Sequence, residues 1–554
     1  MSFTDVPLAG PPDEVFPALS EAQIERVKAR GRVRRLSAGE VLVEEGDATI
    51  PFFVILSGEL EAVRPTDLGK RVITLNVRGQ FTGEINTLSG RATMFRVEAT
   101  EPGEVIELSR NEMMALVQGD AEIGEIIVRA FILRRAGLVL GQVGDVVLVG
   151  SSHSADTLRL KEFLVRNGHP YTYLDLERDT DAEQLMTSFK IAASDIPVVI
   201  CRGKNPLRNP SNHELAACLG FNEAIDETHV RDVVVIGAGP SGLAAAVYGA
   251  SEGLDVLVVE TNAPGGQAGS SSRIENYLGF PTGVSGLELA TRAYAQAERF
   301  GAELAIDRAV RLECGARPYR VRLESGGIVP ARTIVIASGV RYRKPPLEDL
   351  ERFEGNGIYY GATYLEAQLC AGDEVVVVGG GNSAGQAAVF LSESASRVYV
   401  LVRSASLAES MSRYLSRRIE QTPNIQLLTQ TEIVALLGDD RLQGVSWRNN
   451  QTGVVEEHPI GHVFLMTGAA PNAAWLDGCV TLDEKGFIKT GFTLSPEDLA
   501  AARWPLVRQP LLLETSLPGV FAVGDVRGGS IKRVASAVGE GSIAISFVHQ
   551  ALAE

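Results

Sequence analysis

The chain has 554 residues, 45% of them hydrophobic, which is enough for three or four separately cored domains. A net charge of −17 argues against a nucleic-acid-binding surface. No apolar run reaches membrane-spanning length and Met1 to Gly10 lacks a signal-peptide pattern, so a cytosolic protein with no membrane segment is expected. The five cysteines are Cys201, Cys218, Cys314, Cys370 and Cys479. None lies within three residues of another, which leaves no C-x-x-C pair and no zinc-ligand spacing, and no metal site is expected.

Residues 1–143 open with a predicted helix from Ser20 to Ala29, where Ser20 and Gln23 form a capping-box pattern. Short strand-like runs separated by glycines follow at 40–43, 52–56, 60–63, 72–75 and 105–108, the spacing of a small barrel or jelly roll. Helices are predicted at 111–117 and 122–140. The order, with Gly39-Glu40 and Gly46-Asp47, Leu56-Ser57-Gly58, and Gly83-Glu84 followed by Arg91-Ala92, resembles the cyclic-nucleotide-binding domain. That resemblance implies that Gly83 and Glu84 hold the ribose end and Arg91 the cyclic phosphate. The span from Glu84 to Arg91 is shorter than usual in the family, and Ala92-Thr93 replaces its Ser/Thr-Ala. The alternative is a packing module in which Arg91 makes only a structural salt bridge.

Residues 144–227 read as strand 146–149, helix 157–167, strand 171–176, helix 182–189, strand 195–200 and helix 213–219. This order resembles a thioredoxin or glutaredoxin-like domain, and Ile196-Pro197 matches its cis-proline step. The family's C-x-x-C falls on Ser154-Ala-Asp-Thr157, whose hydroxyls cannot perform thiol–disulfide exchange. A docking or spacer role is therefore expected. Cys201, at the end of a buried strand, is read as a small core residue.

From residue 228 a β-branched run, Val233 to Ile236, leads into Gly237, Gly239 and Gly242 in G-x-G-x-x-G order, with Pro240 and Ser241 between, and then an Ala-rich helix. The glycines suit a tight turn, close approach to a pyrophosphate and close helix–strand packing, and the helix N-terminus offers free N–H groups to phosphate. A second strand ends in Glu260, placed to accept ribose hydrogen bonds. Gly265-Gly266-Gln267 and Arg273-Ile-Glu-Asn276 follow, and Ile334 to Gly339 reads as a strand leading to a loop. A second fingerprint, Gly379, Gly381, Asn382, Ser383 and Ala384 after strand 374–378, belongs to an inserted domain. Where Glu260 stands in the first fold, the second has Val402 and then Arg403, which can pair with a 2′-phosphate; NADPH is expected over NADH. Arg413, Arg417 and Arg418 are either further phosphate partners or a solvated helix face. Gly524-Asp525 ends a later strand, and Arg533-Val534-Ala535 opens the last helix.

These motifs resemble the low-molecular-weight thioredoxin reductases. The resemblance implies FAD at Gly237 to Gly242, Glu260, Gly265 to Gln267, Asn276, Gly339, Gly524, Asp525 and Arg533 to Ala535, with NADPH at Gly379 to Ala384 and Arg403. It also implies a homodimer through the FAD domains and hinges near Arg343 to Pro346 and near Gly468. The family's C-A-T-C falls on Gly361-Ala-Thr-Tyr364, so both redox cysteines are absent from that place. Tyr364 is read as a flavin neighbour or as core filling.

The expected architecture is multidomain. It comprises a β-roll (1–143), a thioredoxin-like α/β domain (144–227) and two Rossmann-like three-layer α/β domains. Of the latter, the FAD domain (228–342 and 467–554) is interrupted by the NAD(P)H domain (343–466). The expected function is hydride transfer from NADPH to FAD and on to an unknown electron acceptor, regulated by a cyclic nucleotide or a partner. The alternatives are a ferredoxin or flavodoxin reductase, and a non-catalytic sensor that binds FAD and nucleotide.

Overall fold

The computed structural model describes all residues except 1–6, 9, 48–49, 67–68, 84, 90–91, 141–145, 152–153, 177, 180–185, 187–190, 193–194, 202–205, 223–224, 409 and 477. Glu84, Arg91 and all of helix 182–189 but Met186 therefore lie outside the described residues.

The N-terminal unit is a β-roll of two antiparallel sheets. One orders Arg32–Leu36, Gly103–Leu108 and Phe52–Ser57; the other orders Val41–Val43, Arg96–Ala99, Leu60–Thr66 and Gly69–Asn76. The strands Arg32–Leu36 and Arg96–Ala99 escaped the sequence reading because charged residues interrupt their apolar pattern. Ser20 does cap Glu21–Lys28 through a capping box with Gln23. The helix Ala121–Leu140 packs back onto the roll through Phe131, whose ring lies 6.3 Å from Phe52 and 6.1 Å from Phe81. All three rings are fully buried, and each contributes about 1.5–3 kcal/mol of burial energy.

The second unit has a four-stranded mixed sheet in the order Leu207–Arg208, Val198–Cys201, Val146–Gly150, Thr172–Asp175. Val146–Gly150 runs parallel to Thr172–Asp175 and antiparallel to Val198–Cys201. Ile196-Pro197 is cis. Cys201 is buried, as its strand position predicts, but it is disulfide-bonded to Cys218 rather than a free core thiol. The helix Asn212–Leu219 packs on that strand end, a juxtaposition that short-range cysteine spacing does not reveal. Cys314 and Cys479 are likewise bonded across 165 residues of sequence. Four of the five cysteines are thus paired in disulfides that short-range spacing did not indicate.

The FAD-type sheet orders Glu303–Ile306, Val256–Glu260, Arg231–Ile236, Ile328–Ile336, Tyr319–Leu323 and Ala309–Glu313, with Val520–Ala522 also paired in parallel to Ile328–Ile336. Val233, Val234 and Val235 are fully buried: Val233 and Val235 face the helices Pro240–Ser251 and Val534–Ala553, and Val234 faces a cluster that includes Tyr319, Val321 and Leu476. The inserted domain has a wholly parallel five-stranded sheet in the order Ile358–Tyr359, Val463–Leu465, Glu374–Val378, Arg397–Val402, Ile425–Thr429. Two connections join the domains. They pair as an antiparallel ribbon of Val340–Tyr342 with Ala469–Pro471, extended by the Arg343 N–H donating to the Gly468 carbonyl at 3.0 Å. Among the described residues no helix is long and apolar enough to cross a membrane.

Candidate active site

The first fingerprint sits where the parallel strands end. Gly237 has φ +104°, and a Cβ there would lie 2.4 Å from the Ala337 carbonyl oxygen, so only glycine makes this turn. Gly239 caps the helix Pro240–Ser251, with Pro240 in its first turn. The Gly265-Gly266 segment folds over this helix start. A Cβ on Gly266 would come within 2.9 Å of the Gly239 Cα. A side chain is thus excluded from the Gly266 wall, and Gly239 adds none to the other, in a cradle that ends on helix N–H groups, which is what a pyrophosphate requires. The residues present therefore fit the phosphate-bearing centre of FAD.

Other predicted FAD residues gather around the cradle. The buried Glu260 carboxylate accepts the N–H of Ala238 at 2.7 Å and of Asn262 at 2.9 Å, which fixes its orientation at the strand end. Gln267 donates to the Val340 carbonyl at 2.6 Å and ties the Gly-Gly-Gln segment to the interdomain ribbon. Gly339 adopts φ +63° and its carbonyl accepts the Asn472 N–H at 3.0 Å. Gly524 packs over Ser241, and its N–H donates to Glu540 at 2.7 Å. Glu540 also pairs with Arg527 at 2.5 Å. Burial raises the Asp525 carboxyl above its ordinary pKa, Glu540 adds to the rise and Lys532 opposes it. The last helix begins at Val534, with Arg533 in the capping position and no side-chain cap, so its first N–H groups are open. Asn276 is exposed.

The second fingerprint repeats the geometry. Gly381 caps the helix Asn382–Leu391, and nothing lies within 4 Å of where its Cβ would be. Ser410 donates to the Gly380 carbonyl at 2.7 Å, and Asn382 accepts the Ser412 N–H at 2.8 Å, closing one side of the loop. Ala384 is buried against the strand while Arg403 is exposed at the strand end. This open glycine turn on a helix N-terminus, beside a free cation, fits a phosphorylated dinucleotide.

Two contacts that the sequence did not reveal bring the sites together. Tyr342, on the interdomain ribbon, packs on the NAD(P)H-domain core that includes Ala384; burial raises its pKa. Arg418 pairs with Glu275 at 2.9 Å, so it belongs to a domain–domain ion pair rather than to a solvated face. Arg413 and Arg417 are exposed.

At the family's dithiol place, Gly361 faces open space and Tyr364 is 70% exposed. Tyr364 is therefore not core filling. It begins the short helix Tyr364–Leu369, which Thr363 caps in a capping box with Glu366. The nearby Cys370 is the free cysteine and is fully buried; burial pushes its thiol up to about 12. A thiol so rarely ionised is a poor nucleophile.

The second unit spans both cofactor domains through its helix Ala155–Arg166. Ala155 lies against Gly355, where a Cβ would be only 2.5 Å from the alanine Cβ, and Leu158 packs on the NAD(P)H-domain core. Glu162 adds to the rise that burial gives the Glu366 carboxyl. At the other end Arg166 donates to the Gly266 carbonyl at 2.7 Å and Asn167 to that of Asn262 at 3.0 Å. Ser154 is the N-cap of this helix. The β-roll touches the FAD domain too, where Gln118 donates to the Arg299 carbonyl at 2.9 Å.

Two dinucleotide-binding folds, one inserted in the other and joined at their cofactor ends, are those of a flavin-dependent pyridine-nucleotide oxidoreductase. Residues 231–541 match the family described as pyridine nucleotide-disulphide oxidoreductase, and the chain belongs to that family. Its thioredoxin reductases use FAD and NADPH. Residues 33–120 match the cyclic nucleotide-binding domain. A thioredoxin reductase of Streptomyces coelicolor is 31% identical over 313 residues, covering 56% of this chain and 91% of that protein. Lactococcus lactis thioredoxin reductase in its FR conformation is similar at TM-score 0.52 and 28% identity, covering 58% of this chain and 99% of that one. The T. acidophilum thioredoxin reductase gives TM-score 0.52 at 27% identity, with the same coverage of 58% and 99%. These relatives do not favour the ferredoxin- or flavodoxin-reductase alternative.

Proposed function

We propose that the chain oxidises NADPH through FAD and delivers the electrons to an acceptor other than a dithiol at positions 361 and 364. The contact of the two cofactor domains carries this reading: Tyr342, on the ribbon that joins them, packs on the NAD(P)H-domain core that includes Ala384 of the nucleotide fingerprint, while Gln267 of the flavin segment donates to the Val340 carbonyl of the same ribbon at 2.6 Å. Neither Gly361 nor Tyr364 can form or break a disulfide.

Bound FAD supplies a ring that takes hydride from the nicotinamide. The residues of this chain bind and orient. The cradle of Gly239 and Gly266 and the N–H groups of Ser241 and Gly242 would hold the pyrophosphate, and Glu260 the ribose. The open N–H groups at Val534 and Ala535 stabilise negative charge at the ring end of the site. Gly379 to Ala384 hold the second dinucleotide, and Arg403 favours NADPH over NADH by pairing with its 2′-phosphate.

The strand order and cis-proline of the second unit support a thioredoxin-like domain that has lost its C-x-x-C. Its helix Ala155–Arg166 is a brace that favours the joined arrangement of the cofactor domains. The β-roll is a cyclic-nucleotide sensor. Its long helix reaches the phosphate segment through Arg134, which donates to the Gly83 carbonyl at 2.8 Å, and the roll reaches the FAD domain through Gln118 and Arg299. On family resemblance the protein is a homodimer through its FAD domains.

Anaerobic addition of NADPH to FAD-loaded protein is expected to bleach the flavin rapidly; a spectrum that stays oxidised leaves only a binding role. In a thioredoxin-coupled disulfide assay no robust turnover is expected.

A further inference from the structure

The FAD domain does not build its phosphate site alone. Glu260 and Ile306 end adjacent parallel strands, and both strand ends are held by the second unit. Ile306 is fully buried in that unit's own core, with Leu164 and Leu219. Asn222 grips its backbone twice, donating to its carbonyl at 2.9 Å and accepting its N–H at 2.7 Å. The loop after Glu260 is gripped in the same way. Asn167 donates to the Asn262 carbonyl at 3.0 Å and Asn212 to the Asn262 side-chain oxygen at 3.1 Å. The Asn262 N–H in turn donates to Glu260, whose other oxygen accepts the N–H of Ala238 in the first glycine turn. At the far end of the loop Arg166 donates to the carbonyl of Gly266, the residue that closes on Gly239. Two chains of contact thus run from the second unit to the two walls of the cradle.

The chemistry of these contacts suits a cofactor site. The Arg166 side chain is 13% exposed, pairs with Glu162 at 3.6 Å, and its Nε finds no partner among the described residues. Taking a cation out of water is costly unless negative charge answers it, and the pyrophosphate of FAD is negatively charged. A loop bearing two adjacent glycines also loses much backbone freedom when it is fixed, so bonds that fix it beforehand reduce the entropy that binding must remove. We infer that the second unit is part of the FAD site: Arg166, Asn167 and Asn212 hold residues 260–266 in the shape that receives ribose and pyrophosphate. They are positioning residues, acting through Glu260 and Gly266. Docking of the second unit and binding of FAD then strengthen one another by the same factor, as linkage requires. The inference rests on the FAD reading of the first fingerprint and adds to it a separate domain on which retention of the flavin depends.

The test uses the full-length protein stripped of flavin. Fluorescence titration with FAD is expected to give Arg166→Ala a Kd about tenfold or more above that of wild type, the scale of one lost hydrogen bond from a charged donor. In wild type, FAD is expected to slow amide exchange in the helix Ala155–Arg166 by about tenfold, the reciprocal of the same coupling. In Arg166→Ala that slowing is expected to be largely lost. A second unit that merely packs against a site complete without it would show no response of this helix to FAD. Unchanged FAD affinity in Arg166→Ala overturns the inference and leaves the FAD reading intact. Weakened affinity in the variant, with exchange in the wild-type helix indifferent to FAD, marks general damage to the fold and overturns it as well. Wild type that binds no FAD overturns both.

Discussion

Arg418 and Glu275 form an ion pair of 2.9 Å across the boundary between the NAD(P)H and FAD domains. Glu275 lies beside Asn276 in the segment after Gly-Gly-Gln, and Arg418 lies on the helix Arg413–Gln421, which follows the strand Arg397–Val402 of the NAD(P)H domain. The pair therefore holds the nucleotide site toward the flavin site. An ion pair of this exposure is worth about 0.2–1 kcal/mol. Arg418→Ala is accordingly expected to slow flavin reduction by about 1.5- to 5-fold. Stopped-flow reduction at saturating NADPH measures this, and high salt should slow wild type toward the variant.

The brace is tested at Leu158, which packs on the NAD(P)H-domain core. Leu158→Asp places a charge in that contact at a cost of about 1–3 kcal/mol. Hydrogen exchange in the ribbon Val340–Tyr342 is expected to quicken and flavin reduction to slow. Unchanged exchange there would remove the bracing role.

Glu540 accepts the Gly524 N–H and pairs with Arg527, so it sets the loop that carries Asp525. Glu540→Gln weakens hydrogen bonds to a charged acceptor, worth about 1.5–3 kcal/mol each. FAD affinity is expected to fall about tenfold or more. Fluorescence titration of flavin-stripped protein reads the change.

Cys370 is the one cysteine outside the two disulfides. A thiol reagent is expected to find no reactive group in the native protein and one equivalent after unfolding without reduction. Burial raises the Cys370 thiol to about 12, whereas an unfolded cysteine ionises near about 8.5. Above the unfolded value the unfolded chain loses its proton first. Stability relative to Cys370→Ala is therefore fully present below about 8.5 and declines by about 1.4 kcal/mol per pH unit until the folded thiol ionises. Urea unfolding of both proteins from neutral to alkaline pH measures the difference. Flavin reduction should be the same in both.

Gln118 bridges the β-roll to the Arg299 carbonyl of the FAD domain. If the roll regulates the flavin through this contact, Gln118→Ala should bind nucleotide with unchanged heat while losing most of the nucleotide's effect on the flavin-reduction rate. Couplings of this kind are worth about 0.5–2 kcal/mol.

Local sequence determined the two fingerprints and the strand ends that carry Glu260 and Gly524-Asp525. A phosphate cradle is built from adjacent residues: a buried strand, a turn only glycine can make and a helix N-terminus, so its chemistry is written in consecutive positions. The residues at the family's dithiol place were legible for the same reason, since Gly361 and Tyr364 are read one position at a time. Tertiary structure alone decided what distant segments do to one another. Cys314 meets Cys479 across 165 residues, Arg418 finds Glu275, and Ala155 seats on Gly355. Each such pairing depends on how whole domains dock, and docking is set by the summed burial of many side chains rather than by the few that finally touch. Asn76 shows the same limit within one domain: as a letter it is an ordinary strand-end asparagine, and only the closed roll shows it buried, with a side-chain oxygen that finds no partner among the described residues.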